Sequence, residues 1–159
     1  MAADLEIQQL LAVVDRAYNK RSWHGTNLRG SIRGITADQA AWRPGRDRHN
    51  IWEIVVHAAY WKYAVTRRLT GQQRGSFPLK GSNWFVRDGR TAAVEWRDDV
   101  VLLDRMHAAL RSALAGMSAQ DLHSRDREKV TNLDLIAGIA AHDLYHAGQI
   151  QLLKRLATG

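Results

Sequence analysis

Four stretches of this chain repeat apolar residues at helical spacing, and no stretch alternates apolar and polar residues as a half-buried strand would. The first runs from about Asp4 to Lys20 and places Ile7, Leu10, Leu11, Val14 and Tyr18 on one stripe. The second runs from Asn50, a good N-cap, to Thr70, with Gly71 as its stop. The third spans Thr91 to about Ala115, with Val94, Val101, Leu102, Met106, Ala109 and Leu110 read as its inward face. The fourth opens at Thr131 or Asn132 and ends near Leu156. Four amphipathic helices of similar length predict an all-α four-helix bundle, with any site built from side chains of facing helices.

The connections follow the same logic. Trp23-His24-Gly25 interrupts the first helix, and Thr26 or Asn27 recaps a short continuation. Thr36-Ala37-Asp38-Gln39 reads as a capping box, and Ser118 as the cap of a brief turn. Residues 72–90 have no sustained period and form a long loop between the second and third helices, the kind that often borders a functional site. No linker or internal repeat divides residues 1–159, which are expected to form a single domain.

Composition removes several functions. With no cysteine the chain has no disulfide, thiolate metal site or cysteine nucleophile. The net charge of +7 comes from dispersed arginines without a nucleic-acid motif, so a solvated basic surface is expected rather than a nucleic-acid partner. The longest apolar run, Leu135 to Ala141, is far short of the ~20 residues that span a bilayer. The opening MAADLEIQQLLAVVD has no basic leader before an apolar core, so a cytoplasmic protein is expected.

The chemistry concentrates in histidines. In AAHDLYHAGQIQLLKRL, His142 and His146 stand four residues apart on the stripe that also carries Leu135, Ile139, Gln149, Ile150 and Leu153. In NIWEIVVHAAYWKYAV, His57 shares an inward stripe with Ile54, Trp61 and Val65. Each histidine alone reads as a structural one bonded to backbone or packed on an aromatic neighbour. Three on the inward faces of two helices, without a carboxylate for each, point to a metal site with an open position. Asp143 follows His142 where the HExxH signature needs glutamate, and no ExxH motif of the di-iron bundles is present, so a mononuclear site remains.

Other residues are candidates beside this set. Trp61, Tyr145, Gln149 and His24 are read as substrate-binding residues, although a Trp-His pair at a helix break is commonly packing. Glu53, one turn before His57, reads as a helix-surface carboxylate with ligand orientation as its alternative. Trp84 in the long loop is a candidate lid, and His49, His107 and His123 read as surface residues.

The order of ADQAAWRPGRDRHNIWEIVVH and AAHDLYHAGQIQLLKRL resembles the DinB-like superfamily over roughly Leu5 to Leu156. That resemblance implies a four-helix bundle whose divalent ion is held by His57, His142 and His146, with zinc, nickel and iron all suited to imidazole. It also implies a homodimer and a metal-dependent enzyme on a small-molecule substrate. The expected reaction is transfer of a low-molecular-weight thiol to an electrophile. The alternatives are a hydrolase that activates water at the same site, or a non-catalytic, stress-related metal-binding bundle.

Overall fold

A computed structural model describes residues 5–88 and 93–159, and among these the fold is all-helical apart from one isolated bridge between Arg125 and Thr131. The helices are α1 (Leu5–Tyr18), α2 (Leu28–Ser31), α3 (Ala37–Ala41), α4 (Ile51–Thr70), α5 (Ala93–Ala115) and α6 (Asn132–Ala157), with a 3-10 turn at Ala119–His123. The four long helices pack in a ring: α4 against α5 and α6, α1 against α5 and α6. The expected starts at Asp4 and Thr91 lie outside the described residues, as does the end of the long loop.

The boundaries come from side chains that satisfy free helix ends. Asn50 accepts the Glu53 N–H at 2.8 Å, and its amide donates to the carbonyls of Ala41 and Arg87, so one residue starts α4 and ties two loops to it. Gly71 ends α4 at φ 70, a left-handed conformation that costs glycine little. Thr36 and Ser118 both make capping boxes, and Thr131 caps α6.

Three of the four expected stripes face inward as read. The third differs. Val94 and Val101 are exposed, as is Ala109, while Trp96, Leu102, Leu103, Leu110 and Leu114 fill the interior together with Asp99 and His107. The stripe is rotated because α5 buries two polar residues that a hydrophobicity pattern assigns outward. Asp99 accepts from the Trp52 indole N–H at 2.7 Å and from Arg87, and His107 stacks on Tyr18 with ring centroids 3.7 Å apart. His107 is therefore a core residue, held well below the usual imidazole range, at about 3, by burial and then by the charge of Lys62.

Part of the long loop packs on the helices. Phe85 is buried, Phe77, Leu79 and Trp84 pack on the core beneath it, and the Arg87 N–H donates to Glu53. That folding brings residues 83 and 84 over the middle of α4.

Candidate metal centre

The second turn of α4 meets the middle of α6 so that His57, His142 and His146 offer ring nitrogens all within 4.8 Å of one another. The spacing of His142 and His146 stacks both imidazoles on the inward face of α6. The Nε2 atom of His142 lies 3.2 Å from Nε2 of His57 and 3.0 Å from Nε2 of His146. In tetrahedral sites with Zn–N near 2.0–2.1 Å, adjacent nitrogens lie about 3.3 Å apart. Those spacings fit such a donor set.

Hydrogen bonds on the far side of two rings fix which nitrogen is bare. Nδ1–H of His57 donates to the Asn83 carbonyl at 2.9 Å, and a carbonyl can only accept. Nδ1–H of His146 donates to Oε1 of Gln149 at 2.7 Å. Both rings therefore aim an Nε2 lone pair at His142, which can supply at most one N–H between them. Nδ1 of His142 is buried without a protein partner. Acceptors facing acceptors repel, and a divalent cation among them is the simplest partner for this donor set. Burial also keeps the rings neutral, as ligands must be: His57 is lowered to about 4 and His142 to about 3, each chiefly by desolvation, and His146 is lowered for the same reason.

A cavity of about 490 Å³ opens onto these nitrogens. Its walls are largely apolar, from Pro44, Ile54, Trp84, Leu152, Leu153 and Leu156, and Tyr145 and Gln149 complete the lining from α6. Arg48 is the cation among the lining residues. Trp84 lies between two imidazoles, its ring 3.8 Å from His57 and 3.6 Å from His49. His49 in turn bonds to Glu53 at 2.9 Å, which also takes Arg43 at 2.5 and 2.9 Å.

The sequence expectations divide here. Tyr145 and Gln149 line the cavity, whereas Trp61 backs His57 and His142 edge-on from outside it and donates to the Asn83 side chain. His24 is exposed between α1 and α2 and is not among the lining residues. Glu53 is buried rather than a surface carboxylate. Burial acts to raise it, but Arg43, His49 and the Arg87 N–H outweigh that and hold it at about 2. It braces Trp84 through His49 and touches none of the three histidines by hydrogen bond. Asn83, His49 and Arg48 had no signal in sequence, because each reaches the site only through loop folding. Asp143, the residue in the HExxH glutamate position, turns to Lys62 instead.

An all-helical fold with three imidazole nitrogens converging between two helices belongs to the class of candidate histidine-site metalloproteins. The sequence profile of the DinB superfamily matches residues 21–150, a span that includes all three histidines, and the chain belongs to that superfamily. Comparison with curated proteins and with solved structures gives no match. No helix among the described residues is long and apolar enough to cross a membrane.

Proposed function

We propose that this protein is a metal-dependent enzyme that joins a low-molecular-weight thiol to an electrophilic small molecule. The observation that carries the proposal is the convergence of three Nε2 atoms, two held as lone pairs by their Nδ1–H bonds, at the floor of an apolar cleft. A divalent ion held by His57, His142 and His146 supplies charge that favours the anionic form of a thiol near neutral pH. In the transfer, sulfur bonds to carbon and the thiol proton passes to solvent; a chloro-nitroaromatic loses chloride with the bonding electron pair, whereas an epoxide ring oxygen keeps that pair and takes up a proton.

The chain's own residues shape the rest. Asn83 and Gln149 orient the two outer imidazoles, and Trp84, clamped by His49, forms a wall against His57. The aliphatic lining excludes water from an electrophile that would otherwise hydrolyse. Tyr145 and Gln149 are the proposed substrate contacts, and zinc, nickel and iron remain equal candidates for the ion. The exposed Tyr145, Leu152 and Leu156 beside the cleft support the homodimer as part of this proposal, which sedimentation would measure.

The test is conjugation of bacillithiol, mycothiol or glutathione to a chloro-nitroaromatic or an epoxide by the metal-loaded, untagged protein. Metal-dependent product formation that His142→Ala abolishes is expected. No conjugation with any thiol defeats the proposal, and chelator-sensitive ester or amide cleavage without thiol would assign a hydrolase instead.

A further inference from the structure

The C-terminal end of α4 carries a second concentration of chemistry that the histidines do not use. A cavity of about 760 Å³ lies between residues 67–74, the 124–128 loop and Asn132 at the start of α6. Arg67, Arg68, Arg74, Arg125 and Arg127 all line it, against only Asp126 and Glu128. Both acids are taken by Arg68, at 2.5 and 3.1 Å. Among the described residues, no carboxylate pairs with the other four arginines.

This cavity is built rather than incidental. Asp126 accepts the backbone N–H groups of Glu128 and Val130 as well as Arg68, which fixes the turn that presents Arg125 and Arg127. Nε of Arg67 is buried there with no acceptor. Guanidinium forks without a carboxylate partner that line one cavity are suited to a phosphate.

A second cavity of about 470 Å³ shares Arg67 and Arg74 as walls and is lined further by Tyr60, Tyr63, Phe77, Pro78 and Leu79 together with Lys80 and Ser82. Tyr63 and Phe77, both half-buried, stand with ring centroids 5.3 Å apart. The Tyr63 hydroxyl accepts from the N–H groups of Gly75 and Ser76, which holds the turn bearing Arg74.

We propose that this pair of cavities binds a free nucleotide, with phosphates on Arg67, Arg74, Arg125 and Arg127 and the base against Tyr63 and Phe77. Arginine pairs with phosphate oxygens in a fixed fork, and half-exposed aromatic rings accept a stacked base. The same chemistry is offered by the nucleotides of a single strand. The unpaired arginines are gathered in one cavity of small-molecule size instead of running as a stripe, which favours the free ligand.

Calorimetric titration of the whole protein with ATP, pyrophosphate, adenosine and a single-stranded oligonucleotide, in excess magnesium, tests this. Arg74→Glu and Arg127→Glu, both at exposed positions, should each weaken ATP by about tenfold or more while leaving the melting temperature unchanged. Phe77→Ala should weaken ATP about fivefold and leave pyrophosphate within about twofold. His142→Ala should leave ATP binding as it is, which separates this site from the histidines. The proposal is overturned if Arg74→Glu and Arg127→Glu are silent, or if Arg33→Glu on another face weakens ATP equally. It also fails if Phe77→Ala has no effect on ATP, if His142→Ala abolishes binding, or if the oligonucleotide binds more than about tenfold tighter than ATP.

Discussion

Helices α4 and α6 meet at two buried polar clusters, and in only one of them does a charged donor meet a charged acceptor. Lys62, five residues beyond His57, places Nζ 2.5 Å from Oδ2 of Asp143, the neighbour of His142, and both side chains are fully buried. Burial pulls the Lys62 ammonium down and pushes the Asp143 carboxyl up, and each charge opposes the other's shift. The Tyr18 ring lies 4.8 Å from the ammonium and adds a second partner. There a donor meets an acceptor. Nearby, the lone pairs of His57 and His146 both face His142, whose single N–H can serve only one of them. The same two helices thus carry an ion pair of opposite charges, with Oδ1 of Asp143 left unpartnered, and a set of neutral imidazoles whose lone pairs call for a cation.

Breaking the ion pair should have the largest effect. Lys62→Met strands the Asp143 carboxylate in the core and should cost about 3–5 kcal/mol in urea unfolding. Lys62→Met with Asp143→Leu should recover most of that, because a buried ion pair replaced by apolar side chains is close to neutral. Equal losses in the single and double variants would remove the ion pair from the comparison.

The imidazole set should respond in the opposite sense. Zinc, nickel or iron at 1,000 times its dissociation constant should stabilise the wild-type protein by about 4 kcal/mol. His142→Ala should abolish that gain yet leave the metal-free protein within about 1 kcal/mol of wild type, since it removes a ring whose Nδ1 has no partner. Thermal melts with and without metal measure both numbers. A metal shift that survives His142→Ala would sink the three-histidine site.

This contrast was half legible in the sequence. The stripe containing His142, His146 and Gln149 follows from helical geometry, and so does that containing His57, because local periodicity dictates which way a helix faces. The family resemblance led to the same three residues. The position of Glu53 could not be read the same way. It is buried only because Arg43 and Arg87 arrive from two loops, an effect of chain segments far apart in sequence. His107 was misplaced on the surface for a related reason: the partner that admits an imidazole to the core is Tyr18 of α1, on another helix. Trp84 was expected as a lid, but its sandwich between His49 and His57 depends on the folded loop. Polar burial that depends on partners from distant segments leaves no local periodicity.

pH separates the clusters by direction. His57, His142 and His107 all have folded values lowered from 6.5, to about 4, about 3 and about 3. A group depressed on folding binds its proton preferentially when unfolded, so its contribution is complete above pH 6.5 and is lost as pH falls through the folded values, about 4 for His57 and about 3 for the other two. Metal-free protein should therefore melt progressively lower from pH 6.5 to pH 4. Added metal should steepen the decline, because protons compete for the ligand nitrogens. Removing His142 should flatten it, and a melting curve indifferent to pH across that window would contradict the burial of neutral imidazoles.

The smallest effects should distinguish the two bonds that orient the outer rings. Gln149→Leu removes the acceptor of His146 Nδ1–H and should weaken metal binding about tenfold, or about 1.4 kcal/mol. His57 instead leans on a backbone carbonyl, which no side-chain substitution deletes. Asn83 sits at φ 65, so glycine can hold the same left-handed turn while losing only the side-chain bond to Trp61. Asn83→Gly should change metal affinity by less than about threefold, as titration against a competing chelator would show, because the carbonyl that fixes His57 stays in place. A loss matching that of Gln149→Leu would mean that the Trp61 contact, rather than the main chain, holds His57 toward its partners.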